Sequence, residues 1–314
     1  MSVAHYTANS LAEFVEQICK IKNSLRQNGA EFNEVSLFRG QADESYELLP
    51  SLARPIISES SESLIHEERN LIEMAKFRLP SIFQESMRPL ERLALLQHYG
   101  VPTRLLDITE NAFVALYFAC CSSKTTNGEV IVFKNNEVDI TNYPIVDAIC
   151  DSYRFALGGT SFSDFFENIN IQPYFLEQKL SNKICFHTAA EKSAWIYQCC
   201  KKHFFLSTPP FIANGSKLKV GGIFYFPTTI TFYRKNQYYF TSYIMPLPKS
   251  DDNLIAARIQ IPSILKEQFL KDLSIFGISK DVLFCDDIGT ICSSITSTYQ
   301  QKVRYMFNSL PEKI

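Results

Sequence analysis

The sequence predicts a mixed α+β fold, a split β-sheet core with flanking helices, on three observations. Between Arg88 and Lys134 a helix, a strand, a helix and a strand follow in quick succession, the order expected where helices pack on a sheet. Amphipathic helical spacing recurs near both ends of the chain. From about 136 to 250 aromatic residues are frequent and "GGIFYFPTTITFYRKNQYYFTSYIMP" reads as a β-hairpin turning at Arg234 to Gln237.

Taken in order, "NSLAEFVEQICKIKNSLRQNG" predicts an N-terminal helix with Asn9 or Ser10 as its cap, Leu11, Phe14, Val15, Ile18 and Ile21 or Leu25 recurring at helical spacing, and Gly29 near its end. "EVSLFRG" follows as a strand. "HEERNLIEMAKFRL" predicts a helix with Leu71, Met74 and Phe77 on one face and its charges solvated. A helix from Pro89 to His98 is ended by Gly100 and Pro102. A strand near Arg104 to Ile108 then leads to a helix capped by Thr109 or Asn111. Glu129 to Lys134 forms the next strand. Pro227 suits an edge strand or a bulge. "HTAAEKSAWIYQCCKKHFF" reads as a helix. The last part gives a strand in "ARIQIP", a helix over Leu265, Phe269 and Leu273 stopped by Gly277, an apolar strand in "DVLFC" and a closing helix. A single domain over 1–314 is expected, with an N-terminal helix in 1–30 and an insertion or second lobe in 136–250.

Composition narrows the function classes. The chain of 314 residues carries a net charge of −2 and is 46% hydrophobic, which denies it the dominant basic footprint of a nucleic-acid binder. Its nine cysteines are an odd number without a Cys-x-x-Cys spacing, which points to reduced thiols and a cytoplasmic location, with no structural zinc. No apolar run reaches membrane-spanning length, and the N-terminus lacks the pattern of a secretion signal. Walker-type phosphate loops, Gly-x-Gly-x-x-Gly, His-Glu-x-x-His and Gly-x-Ser-x-Gly are all missing.

Polar residues gather at the ends of predicted core elements. In "FRGQ", Arg39 closes an apolar strand before Gly40 and Gln41. Its guanidinium fork suits either an internal carboxylate, such as Glu44, Glu47 or Asp107, or a ligand phosphate. "QHYGVPTRLLDIT" packs Gln97, His98, Tyr99, Arg104, Asp107 and Thr109 into one segment. Such density either forms a satisfied network or lines a cleft. His98 at a helix end also suits the helix dipole, and Asp107-x-Thr109 before a helix doubles as a capping signal. "FLSTPPF" offers Ser207 and Thr208, more simply a turn. Asp281, Asp286 and Asp287 flank "VLFC", where helix capping competes with a metal role.

Together "SLFRGQADESYELLPSLAR", "LALLQHYGVPTRLLDITENAFVALYFA" with "GEVIVFK", and "RIQIP…LSIFGISKDVLFCDD" resemble the FRG domain, named for its Phe-Arg-Gly motif, over Phe38 to Asp287. That resemblance implies a prokaryotic or phage-related protein and carries no settled activity. Two departures stand out: "SKLKVGGIFYF" lacks an arginine and a glutamine usual there, and Phe284-Cys285-Asp286 stands for Phe-Pro-Asp. The element order is also similar to that of ADP-ribosyltransferases of the arginine-serine-glutamate type. This second resemblance implies Arg39 as a grip on the phosphates of NAD, Thr109 or Asp107 at the serine position, and Asp281 at the place of the catalytic glutamate. Glu110 and Asp107 are substitutes for that carboxylate. A carboxylate beside a phosphate clamp suits the oxocarbenium-like state of nicotinamide–ribose cleavage.

The expected function is therefore that of an NAD-utilising, ADP-ribosyltransferase-like effector, a toxin or anti-phage defence protein, with NAD as substrate and no metal. Its target would be a protein or a nucleic acid, its trigger phage-derived, with no membrane involved. The competing expectation is a non-catalytic module for a nucleotide, a nucleic acid or a phage protein, using the aromatic and basic hairpin from Phe224 to Tyr243. A metal nuclease built on Asp107, Asp286 and Asp287 ranks last. The first expectation predicts that Arg39 and Asp107 or Thr109 converge on one cleft.

Overall fold

The structure, a computed structural model, describes residues 3–27, 37–56, 63–134, 138–139, 144–155, 160–176, 246–283 and short pieces between 187 and 238. A mixed sheet of eight strands runs through it in the order β1-β10-β4-β2-β3-β7-β6-β5. The strands are β1 (Ala4–Thr7), β2 (Leu37–Gln41), β3 (Leu105–Thr109), β4 (Gly128–Phe133), β5 (Val138–Asp139), β6 (Phe205–Ser207), β7 (Val220–Phe224) and β10 (Ile255–Ile261). β8 (Tyr233–Arg234) and β9 (Gln237–Tyr238) form a separate hairpin, paired where the aromatic segment was expected to turn. β1 joins β10 in parallel, while β10, β4, β2, β3 and β7 pair antiparallel in sequence across the centre.

Alternation along each strand assigns side chains to two faces. On the first face lie Phe38, Val130, Val132, Ala257 and Ile259, packed against Phe14, Val114, Leu116, Ala119, Phe269 and Leu273. Those partners come from α1 (Leu11–Gln27), α4 (Ala112–Cys120) and α8 (Lys266–Ile275). On the second face lie Leu37, Leu106, Ile108, Ile131, Phe133 and Ile255, covered by Leu48, Leu49 and Leu247. A third cluster, which includes Leu93, Leu96, Leu105, Cys150 and Phe165, joins the start of β3 to α2 (Glu68–Arg78), α3 (Pro89–His98), α5 (Pro144–Cys150) and α6 (Phe162–Asn170), with Tyr174 of α7 (Pro173–Leu176) packed against it.

Helix α4 rests on the sheet backbone to backbone. A Cβ on Gly40 would lie 1.7 Å from the Ala115 carbonyl oxygen, and one on Gly128 would lie 2.2 Å from that of Ala119. Glycine in Phe-Arg-Gly is thus a packing requirement set by α4. The buried Lys266 at the start of α8 donates to the Ala42, Ser122 and Ser123 carbonyls, tying α8 to the end of α4.

Local signals place most elements. Ser10 accepts from the Glu13 amide at 3.2 Å and Glu13 accepts from the Asn9 amide at 2.9 Å, so α1 starts on a reciprocal cap. α3 has the expected bounds, Asn111 caps α4 through the Phe113 amide at 2.9 Å, and Gly277 ends α8 with φ +74. Three expectations need correction. β1 stands where no strand was expected. α2 buries Glu68 and Ile72 and leaves Met74 and Phe77 exposed, because Arg104 draws Glu68 inward. Lys280–Leu283 is a helical turn, α9, where "DVLFC" predicts a strand. The closing helix, Asp286, Asp287 and most of "HTAAEKSAWIYQCCKKHFF" lie outside the described residues.

Candidate functional site

Sheet register assembles a polar row on the second face. Thr7 pairs with Gln260, Gln260 with Glu129, and Glu129 with Gln41. One step along, His5 pairs with Arg258, Arg258 with Ile131, and Ile131 with Arg39. Glu129 is the hub of this row and is 2% exposed. Arg258 donates to its Oε2 through Nε at 2.8 Å and approaches it with Nη2 at 2.7 Å. Lys249 bonds its Oε1, and Gln41 donates to the same oxygen at 3.3 Å. Charge-assisted pairs of this kind are what make a buried carboxylate tolerable. Burial pushes the Lys249 pKa down, Glu129 pulls it back up, and the Arg258 and Arg39 charges add to the fall.

This row floors a solvent-open cleft of about 260 Å³ lined by His5, Tyr6, Thr7, Glu44, Glu129, Arg258 and Gln260. Glu44 also lines the cleft, and its carboxylate accepts from Gln260 at 2.6 Å and from Asn127 at 3.2 Å. Two carboxylates therefore share one cleft in different states. Glu129 is held by cations, whereas Glu44 is held by neutral amides.

Arg39 sits beside this cluster. It is half-buried, donates from Nε to Gln41 at 3.3 Å, and donates from Nη1 to the Asp107 backbone carbonyl at 2.5 Å. The side chains of Asp107 and Thr109 point the other way. Phe38 is the partner of Thr109 across β2 and β3 and belongs to the α4 face, so Thr109 and Asp107 share that face while Arg39 and Gln41 lie on the opposite one. Arg39 meets β3 through its backbone alone in these contacts. The expected convergence of Arg39, Asp107 and Thr109 is corrected by strand alternation.

Each remaining candidate has a definite place. Thr109 is 5% exposed and accepts from the Asn111 amide at 3.1 Å, a local turn ahead of α4. Exposed Asp107 accepts at Oδ1 from Gln97 Nε2 at 3.1 Å, and Thr103 donates to Gln97 Oε1 at 2.6 Å. That chain fixes the turn between α3 and β3. Arg104 is 1% exposed, its Nε 2.7 Å from Glu68 Oε1, its Nη2 on Glu68 Oε2 and its Nη1 2.6 Å from Ser152 Oγ. It is a buried staple, so its expected ligand-binding role is corrected, and its partner is Glu68 instead of Asp107. His98 and Tyr99 are exposed, their rings 5.3 Å apart, and neither lines the cleft. Gly40 serves α4, as described. Asp281 is exposed beside Tyr117 of α4, whose hydroxyl burial pushes up to about 12 with the Cys121 and Asp281 charges adding to it. Asp281 therefore stands on the α4 side of the sheet, away from Arg39.

Sequence reasoning missed Glu129, Arg258, Gln260, Lys249 and His5. A signal existed for three of them. In "GEVIVF" and "ARIQI" a charged or amide residue occupies one phase of an otherwise apolar alternation, which marks a polar stripe on a covered face.

A mixed α+β protein with a polar stripe under half of its sheet is the class this geometry defines. Residues 34–128 match the family of the FRG domain, from just before β2 to the first residue of β4. This is narrower than the Phe38 to Asp287 span of the sequence resemblance. No curated protein and no solved structure matches the chain. Among the described residues no helix is long and apolar enough to cross a membrane, and no group of three or more His, Cys, Asp or Glu side chains is placed to hold a metal ion.

Proposed function

We propose that the cleft binds the phosphoribosyl part of an NAD-class nucleotide, and that the chain acts on that nucleotide as an ADP-ribosyltransferase-like effector. One observation carries the binding part: Arg258, its guanidinium anchored on buried Glu129 whose other oxygen Lys249 holds, lines an open cleft. Arg258 spends Nε and Nη2 on Glu129, while a guanidinium has about five N–H donors, so the fork can also hold a phosphate oxygen. A cleft of about 260 Å³ is below the roughly 300–1,000 Å³ of pockets for drug-sized ligands. It suits a sugar phosphate, with the base lying outside.

The effector part rests on the sequence resemblance and now falls to different residues. Among the described residues the Glu44 carboxylate accepts from the neutral amides of Asn127 and Gln260, and it takes the role assigned from sequence to Asp281, Asp107 or Glu110. A non-catalytic nucleotide module is the second reading, favoured by the cations that engage Glu129. Isothermal titration with NAD, ADP-ribose, AMP and adenosine tests the binding. The three phosphate-bearing ligands bind, adenosine does not, and Arg258→Gln weakens binding about tenfold or more. Equal binding of AMP and adenosine, or no binding of any nucleotide, overturns the proposal. Nicotinamide release from NAD in the same samples separates the enzyme from the module.

A further inference from the structure

We infer that the cleft selects ribose over deoxyribose, with Glu44 as the acceptor for the two hydroxyls of the sugar. The inference rests on the phosphoribosyl reading above and deepens it. Glu44 is fixed at four points. Its amide donates to the Asn127 carbonyl at 2.8 Å, and its own carbonyl accepts from Lys249 at 2.8 Å. Its carboxylate oxygens accept separately from the Asn127 and Gln260 amides, at 3.2 and 2.6 Å.

Both amides are themselves oriented. Asn127 Oδ1 accepts from the Ser263 amide at 3.0 Å, and Gln260 Oε1 accepts from Thr7 Oγ1 at 3.4 Å. With their oxygens occupied, each amide presents its NH₂ to Glu44, and a flip would lose two bonds at once. The result is a carboxylate whose position is set before any ligand arrives.

A carboxylate has about four acceptor positions, and the two amides use one on each oxygen. Each oxygen keeps one for a ligand, the pattern a vicinal diol satisfies by donating twice. Cationic donors engage Glu129 across the floor, so the two carboxylates are not equivalent. Arg258 takes the phosphate and Glu44 the diol, in one cleft.

The test is isothermal titration of the whole chain with AMP, 2′-deoxy-AMP and 3′-deoxy-AMP. Either deoxy compound binds about tenfold or more weakly than AMP, the loss expected for one hydrogen bond to a charged acceptor. In Glu44→Gln, AMP weakens and its advantage over the deoxy compounds falls below about threefold, while thermal unfolding shows the variant folded. Equal binding of AMP and both deoxy compounds by the unaltered chain overturns the diol assignment and leaves the phosphate reading standing. Undiminished discrimination in Glu44→Gln overturns the role of Glu44. Failure of all three to bind overturns the phosphate reading and this inference with it. The comparison in the unaltered chain decides even where the variant does not fold.

Discussion

Replacing Gly40 by alanine adds a single methyl group where the structure has no room. Its Cβ would stand 1.7 Å from the Ala115 carbonyl oxygen, 2.7 Å from the Ala115 carbonyl carbon and 2.8 Å from the Ala119 amide nitrogen. All three are backbone atoms of a helix, so no rotamer change relieves the contact. To regain ordinary contact, α4 must retreat from β2 by more than an ångström. The retreat loosens Phe38, Val114, Ala115, Leu116 and Ala119, all buried in the first-face core. Overpacking costs about 1–3 kcal/mol when side chains can adjust. Here a whole helix moves, and the expected loss is about 3 kcal/mol or more. Gly100→Ala is the matched control: it has φ +81 and nothing within 4 Å of the added Cβ, so it costs about 1 kcal/mol from backbone conformation alone. Urea unfolding followed by circular dichroism measures both. Ala115→Gly added to Gly40→Ala gives no recovery, because the clash is with backbone. A Gly40→Ala loss below about 1 kcal/mol, or recovery by Ala115→Gly, would refute the backbone-contact argument.

Two further outcomes follow from the helical cluster. Arg104→Met strands the Glu68 carboxylate, 8% exposed, and costs about 3–5 kcal/mol in urea unfolding, while Glu68→Leu with Arg104→Met recovers most of it; a single variant near the stability of the unaltered chain would show that Arg104 is not the staple. Burial pushes the Asp151 carboxyl above its usual 3.8, with Arg154 and Tyr174 pulling it down, and burial likewise raises Asp147 against the pull of Arg88. A raised carboxyl binds its proton more tightly in the folded chain. The stability it lends is full below the unfolded pKa near 4 and is lost as pH rises through the folded value. The stability of the chain relative to Asp151→Asn therefore falls from pH 4 to pH 7 in urea melts, and a gap that widens in its favour over that range would contradict the shift.

Local chemistry made much of the fold legible. Pro89 at the first turn of α3, Asn111 ahead of α4 and the apolar phases of β4 and β10 each declare an element within a few residues. What stayed hidden depends on pairing across long stretches of chain. Arg39, Asp107 and Thr109 look like neighbours in sequence pattern, yet one pairing, Phe38 with Thr109, sends their side chains to opposite faces. Glu68 sits among charges that read as a solvated surface, and only the inward path of Arg104 turns it into a buried partner. β1 is four residues long and alternates exposure without a marked apolar phase, so nothing in its own composition announces it. Lys249 enters the cluster from just beyond the aromatic stretch, reaching Glu129 across 120 residues.

The family match ends at Gly128, one residue short of Glu129. Of the seven side chains around the cleft, the matched segment supplies Glu44 alone. That segment carries the helix-on-strand wedge at Gly40 and the Glu68–Arg104 staple, so it behaves as a chassis. The strands that dock against it, β1 and β10 with the remainder of β4, bring the other six lining side chains. Chains that share this chassis are free to differ in what lines the cleft, and transplanting 34–128 into another protein would move the frame without the cleft.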